Sequence, residues 1–446
     1  MSRRAYPAYK PSGVEWLGEI PAGWITVSVK RKYAIQLGKM LQNNPESDAD
    51  VSVSYVKALH VNWGNVNTSD LPEMWANPAE IGQFGIKSGD LLVCEGGEAG
   101  RAGIVSTLPT PCIIQNALHR VRGKYADVRF LQYVLHAVGS GGWFEVLCNK
   151  ATIAHFTREK LAELRMPLPL NIDEQRAVVA FLDRETARID ALTAKKGQQI
   201  ELLQEKRAAL ISRAVTKGLN PNARMKDSGI EWLGEIPEHW NTCKLKYFCH
   251  RITKGTTPTT LGKEFIDDGI RFVRIENISD NMTLGLDNCK YIDQETHQIL
   301  QRSQLQIDDV VVAIAGAIGR LAIVTKEDLP ANCNQAVGII SLDKSKIMPE
   351  WVAYALSSDF VRNMYDQIQV QSAQANLSLE DVGLATIPSP AIYEQRAITA
   401  FLDRETARID ALIEKINNSI DLLREYRTAL ISAAVTGNID VREEVS

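Results

Sequence analysis

The seven cysteines (Cys94, Cys112, Cys148, Cys243, Cys249, Cys289 and Cys333) are the side chains best suited to metal or redox chemistry, and no two of them form a CxxC pair. An odd number without paired spacing points to small buried hydrophobes in the reduced state, not to a zinc site or a disulfide framework. The seven histidines are equally scattered, with no HExxH spacing. GTTPTTLGKE from Gly255 has the wrong glycine spacing for a phosphate loop, and it sets Glu264 where a magnesium-binding Ser or Thr belongs. GGEAGRAG from Gly96 departs from the dinucleotide fingerprint. Neither NNPES nor ANPAE supplies the Asn/Asp-Pro-Pro-aromatic tetrapeptide of base methyltransferases, and no carboxylate–lysine nuclease constellation is evident. The chain therefore reads as one that recognises and organises and does no bond chemistry itself.

Composition sets further bounds. A chain of 446 residues, 45% hydrophobic and 23% charged, is long enough for two or three domains with their own cores. No apolar run approaches a membrane span, and MSRRAYPAYKPSG lacks the apolar core of a signal peptide, so a cytoplasmic protein with no membrane partner is expected. The net charge is −4 overall, +2 over residues 1–150 and −5 over residues 228–375. That balance argues against strong nonspecific phosphate binding by this chain alone.

The elements that must position any site are duplicated. EQRAVVAFLDRETARIDAL from Glu174 returns as EQRAITAFLDRETARIDAL from Glu394, 220 residues later, differing only at Val178/Ile398 and Val179/Thr399. LLQEKRAALISRAVTKG from Leu202 is likewise answered by LLREYRTALISAAVTGN from Leu422. Rich in Ala, Leu, Glu, Arg and Lys and free of interior proline, both copies read as long helices, about 65 Å each if unbroken, with Gly197 a weak point in the first. Leu182, Ile189, Leu203 and Leu210 in the first, and Leu402, Ile409, Ile416, Leu423 and Leu430 in the second, keep a heptad register, with Lys196 at the middle position of the first. The expected arrangement is an antiparallel coiled-coil spacer with a pseudo-twofold axis; the alternative is two ordinary helices in packed bundles.

Each half also opens alike, with SGVEWLGEIPAGW from Ser12 and SGIEWLGEIPEHW from Ser228, whose Trp16, Trp24, Trp232 and Trp240 suit packing against a domain body. Short apolar segments divided by Gly, Asn, Asp and Pro follow, the pattern of strands and loops. Landmarks persist there while the loops diverge. SYVKALHV from Ser54 matches RFVRIENI from Arg271, DLLV from Asp90 matches DVVV from Asp309, and GEAGRAGIV from Gly97 matches GAIGRLAIV from Gly316. Gln115-Asn116-Ala117 stands opposite Asn334-Gln335-Ala336. A frame kept twice with unlike loops suits one partner held twice and two targets read separately; drift of a duplicated domain is the alternative. The expected fold class is α+β: two mixed α/β domains joined by two long antiparallel coiled-coil helices in an internal repeat. The boundaries read as 1–173, a long helix 174–217, linker and second domain 218–393, a second long helix 394–436, and a polar tail 437–446 expected to fray.

The two variable regions, each closed by EQRA...FLDRETARIDAL and opened by SGxEWLGEIPxxW, resemble the specificity subunit of a type I restriction–modification system over essentially the whole chain. The resemblance implies a noncatalytic subunit whose two target-recognition domains each read half of a bipartite, asymmetric site on double-stranded DNA. It implies that the coiled coil fixes the gap and docks two modification subunits, which methylate adenine, and that restriction subunits add to them. No cofactor is implied for this chain; S-adenosylmethionine, ATP and magnesium would sit on partner subunits. Base edges are read best by Arg, Lys, Asn and Gln. The loop candidates are Arg31, Lys39, Lys57, His60, Asn62, Trp63, Arg101, Gln115 and Asn116 in the first half, and Lys254, Thr256, Thr257, Arg274, Asn277, Arg320, Asn334 and Gln335 in the second. Arg101/Arg320 and the Gln/Asn pairs, being shared by both halves, are equally candidates for the frame. The competing functions are a self-contained nuclease, disfavoured by the missing motifs, and a structural coiled-coil adaptor without a DNA role.

Overall fold

The structure, a computed structural model, describes residues 4–147, 155–371 and 376–443; Cys148 lies outside them. Both long helices form without a break. Helix α1 runs Ile172–Lys217, straight through Gly197, and α2 runs Ile392–Val435. The chain divides into two compact units, residues 1–196 with 417–446 and residues 197–416. The boundary cuts each long helix, so the units are not the consecutive domains that the sequence suggested. Unit 2 is one uninterrupted repeat, and unit 1 is the same repeat assembled from the two ends of the chain.

Within unit 1 the first half of α1 lies antiparallel to the last turns of α2. Val178, Leu182 and Ile189 share a core with Leu430, Ile431 and Val435, and Arg427 Nε meets Asp190 Oδ1 at 2.9 Å. Within unit 2 the second half of α1 lies antiparallel to the start of α2, with Ile211 and Val215 packed with Ile398 and Leu402 and Arg207 Nε 3.7 Å from Asp410 Oδ1. These two ion pairs are the same pair, displaced by the repeat. All nine heptad positions are buried or half-buried.

Each unit carries a sheet built around a strand buried on both faces. In unit 1 the five strands run in the order Tyr33–Leu37, Leu118–Gly123, Leu91–Cys94, Ala102–Ile104, Gly64–Asn65. In unit 2 the counterpart order is Cys249–Lys254, Val337–Leu342, Val310–Ala313, Leu321–Ile323. LLVC and VVVA, continuous apolar runs in the sequence, are wholly buried, as a strand covered on both faces must be. A smaller sheet centres on Val51–Val56 in unit 1 and on Ile270–Val273 in unit 2, each paired with a parallel and an antiparallel neighbour.

The repeated opening segments dock on the long helices. Trp24 and Trp240 are buried, and their indole N–H groups donate to Glu174 and Glu394 at 2.9 Å, whereas Trp232 remains 41% exposed. Both long helices stop at a glycine with positive φ, Gly218 and Gly437, packed over those indoles. Among the described residues no helix is long and apolar enough to cross a membrane.

The tail does not fray through residue 443. Val441 is fully buried, the Asp440 amide donates to the Arg4 carbonyl at 2.8 Å, Arg442 lies over the Tyr6 ring at 4.9 Å, and Arg4 pairs with Glu443 at 2.8 Å. In unit 2 the corresponding path from α1 to the opening segment is continuous chain, so in unit 1 noncovalent contacts between the termini stand where unit 2 has a covalent linker. Substituting Val441→Asp buries an unpaired charge there and is expected to cost about 3 kcal/mol. Hydrogen exchange should then accelerate across unit 1 and leave unit 2 amides unchanged.

Candidate functional site

Four loops of unit 1 converge at one edge of its sheets. Strands Tyr33–Leu37 and Leu91–Cys94 both run antiparallel to Leu118–Gly123, and Cys112–Ile114 runs parallel to Val51–Val56, so the loops that leave them emerge together. Backbone hydrogen bonds tie them: Lys39 N to Ile114 O at 2.8 Å, Asn116 N to Lys39 O at 2.8 Å, Gln115 N to Val56 O at 3.0 Å and Glu95 N to Ala117 O at 3.0 Å. Unit 2 repeats the pattern, with Thr256 N to Cys333 O at 3.2 Å, Asn334 N to Val273 O at 3.0 Å and Ile314 N to Ala336 O at 2.9 Å. A β-carbon at Gly38 would collide with the Gln115 carbonyl, and one at Gly255 with the Cys333 carbonyl. Glycine at these two points lets the loops cross in contact.

This frame consumes many of the polar side chains that the sequence offered as readers. Lys39 is buried and ion-paired with Glu80 at 2.5 Å, a contact that holds the Glu80 carboxyl below its usual range. His60 and Asn277 are buried and close equivalent turns, accepting from the Lys57 and Arg274 amides at 3.2 and 2.9 Å. Arg101 donates to Ala58 O and to Glu98, both at 3.0 Å, and Arg320 pairs with Asp280 at 2.9 Å, so both are bound within their own unit. Arg274 pairs with Glu276 at 2.6 Å, Asn62 donates to Asn65 at 3.3 Å, and Thr256 accepts from Arg302 at 3.4 Å. The Thr257 hydroxyl is bonded to Gln335, and Asn334 accepts from the Ala336 amide at 3.2 Å.

Gln115, Asn116, Lys57, Lys254 and Gln335 lie on the converging loops with their side chains exposed or half-exposed. Arg31 does not join them: it precedes the strand Tyr33–Leu37 whose far end carries Lys39. Three apolar residues that a search for hydrogen-bonding side chains passes over do join them. Met40 is 74% exposed, Leu59 68% and Leu41 44%.

Trp63 faces a neighbouring cavity of about 480 Å³, lined also by Glu98, His136, Phe144 and Thr428. Its indole N–H donates to Glu98 at 2.5 Å and its ring meets His136 edge-on, centroids 5.2 Å apart. Arg427 lies 3.4 Å from His136 Nε2. Burial first, and that guanidinium second, push the His136 imidazole down to about 4. Among the described residues no group of three or more His, Cys, Asp or Glu could hold a metal ion.

The family model described as type I restriction modification DNA specificity domain matches residues 75–202 and 237–422, one match reaching into each long helix. The chain is similar to the EcoBI type I restriction enzyme specificity subunit of Escherichia coli, at 25% identity over 96% of this chain and 88% of that one. It is also similar to the MjaVIII specificity subunit of Methanocaldococcus jannaschii, at 24% identity over 65% of each. Among solved structures, one from a study of complex assembly and conformational transition of the type I R-M system superposes with a TM-score of 0.70, covering 93% of this chain and 98% of that one at 14% identity. The HsdS subunit of Thermoanaerobacter tengcongensis gives 0.51, at 16% identity, covering 94% of this chain and 98% of that one. At these identities the solved structures speak for the fold.

The depressed His136 pKa makes unit 1 sensitive to acid. Unfolding returns the imidazole to its ordinary value near 6.5, so the unfolded chain takes up a proton that the folded one refuses. Stability contributed by neutral His136 is complete above pH 6.5 and falls as pH drops toward 4. The decline is expected to be on the order of 2 kcal/mol after allowance for partial exposure. Urea unfolding of His136→Gln should lack this part of the pH dependence.

Proposed function

We propose, for a chain that belongs to the family of type I restriction–modification DNA specificity subunits and is a noncatalytic component of such systems, that its two units each read one half of a bipartite duplex site. In this reading the duplicated helices dock two copies of one modification subunit. Such partners, joined by restriction subunits, would carry S-adenosylmethionine, ATP and magnesium.

The observation that carries this reading is the distribution of identity on the long helices. Buried identical pairs such as Gln175/Gln395, Leu182/Leu402 and Thr186/Thr406 have a folding reason to stay alike. Arg176, Ala180, Arg184, Ala187 and Ala191 are exposed, as are Arg396, Ala400, Arg404, Ala407 and Ala411, yet these pairs are identical too. The five positions fall within about 80° of the helix circumference, so they form one stripe. Even local contacts match, with Arg184 over the Phe181 ring at 5.6 Å and Arg404 over Phe401 at 5.3 Å. An exposed stripe kept identical while neighbouring loops diverge supports a single kind of partner bound twice. The loop clusters supply the complementary half of the argument, since equivalent frames present Gln115-Asn116 in one unit and Asn334-Gln335 in the other. Unlike readers on like frames favour unlike half-sites, and the missing net positive charge is supplied in this reading by partner subunits.

Two measurements test it. Ala187→Arg is expected to reduce the bound modification subunits from two to one in native mass spectrometry, and Ala187→Arg with Ala407→Arg to none, without loss of folding. Unchanged stoichiometry in the double variant would remove the docking assignment. Mapping of N6-methyladenine in cells that express the complex should return two short unlike sequences around a constant gap; a continuous or absent motif contradicts the bipartite reading.

A further inference from the structure

One turn in the loop cluster is built identically in both units and differs at its tip. In unit 1 it is Ala58–His60, closed by the Lys57 amide donating to His60 Nδ1; in unit 2 it is Ile275–Asn277, closed by the Arg274 amide donating to Asn277 Oδ1. Both are single 3-10 turns at the end of the central strand of the smaller sheet. Each is pinned a second time, by Arg101 Nη2 on the Ala58 carbonyl at 3.0 Å and by Asn277 Nδ2 on the Gly285 carbonyl at 2.9 Å. The parallel neighbour strand pins the approach, through Gln115 N to Val56 O and Asn334 N to Val273 O. These bonds hold the turn that presents the tip side chain.

That tip residue is Leu59 in unit 1 and Glu276 in unit 2. Scattered exposed leucines on a surface need no account. Leu59 is different, because it stands 68% exposed on a turn fixed by partly buried hydrogen bonds, in the same loop cluster as the 74% exposed Met40. Neither side chain belongs to a core of its unit. Glu276, with its side chain 58% exposed, is held in direction by Arg274 Nη1 at 2.6 Å. A rigid backbone that offers an apolar group in one copy and an oriented carboxylate in the other has the form of a specificity element on a preorganised support.

Base edges in the major groove distinguish these two groups. The thymine C5-methyl takes an apolar side chain, and the cytosine N4 amine donates to a carboxylate. The geometry points to Leu59 and Glu276 as specificity-determining residues, each setting one base of the half-site that its unit reads, Leu59 through a thymine methyl and Glu276 through a cytosine amine. This assignment rests on the reading of the two units as base readers. It adds the particular side chains, neither of which a search for shared polar residues would find.

The experiment uses the full chain purified with its modification subunits and a duplex library randomised over both half-sites, with bound duplexes sequenced. Wild type, Leu59→Ala, Leu59→Gln and Glu276→Gln are compared. Each variant is expected to bind, to keep the gap and the other half-site, and to lose preference at a single position by roughly fivefold or more. For the Leu59 variants the preference lost is for thymine, and for Glu276→Gln it is for cytosine. Preferences intact at every position, or an even fall in affinity with preferences intact, overturn the assignment and leave the base-reading function standing. A wild-type complex that selects no split sequence overturns that function, and the assignment with it.

Discussion

A buried glutamine near the start of each long helix joins three elements at once, and the rest of each unit is arranged about it. Gln175 accepts from the Asp127 amide at 3.0 Å, where the helix Val128–Ser140 begins, and donates to the Pro169 carbonyl at 2.9 Å, where the strand Arg165–Pro169 ends. Gln395 repeats both bonds, to Met348 at 2.9 Å and to Pro390 at 2.8 Å. One residue earlier, Glu174 and Glu394 receive the indole N–H of the opening segment. Farther along, Tyr133 donates to Asp183 at 2.8 Å and Tyr354 to Asp403 at 2.7 Å. Unpaired polar groups at these depths would cost more than the bonds contribute, so the motif has few substitutes.

This anchoring explains why EQRA...FLDRETARIDAL is a docking sequence before it is a coiled-coil sequence. Half of its identical positions face their own unit, and the heptad positions serve both purposes: Leu182 and Leu402 lie in the unit cores and on the seam between helices. The exposed remainder is free to be a contact surface. Duplicating the motif therefore duplicates the mounting of a unit and an exposed identical stripe in one step, while the converging loops differ between the units.

The same economy governs the termini. Because α1 and α2 are shared between the units, the final turns of α2 and the tail that follows must complete unit 1. The N-terminal Tyr6 OH reaches Glu174 at 2.9 Å, and the C-terminal Arg442 covers Tyr6. Burial and the adjacent carboxylate push the Tyr6 phenol well above its ordinary range, which keeps it a donor.

Duplication, the long helices and their heptad seam were legible in the sequence, because periodicity and self-similarity are local properties that packing only ratifies. Which of the candidate polar side chains are bound into the frame was not. Arg101, Lys39 and Asn277 carry groups suited to base edges, and only the folded chain shows that Glu80, the Ala58 carbonyl and the Gly285 carbonyl already hold them. The reverse holds for Leu59, an apolar residue that one local and one long-range hydrogen bond on its turn accompany at the surface. Nor could the pattern divide each helix between two units or fold the polar tail inward. Those outcomes depend on contacts between residues hundreds of positions apart, such as Arg4 with Glu443 and Asp190 with Arg427, where chain order says nothing about distance.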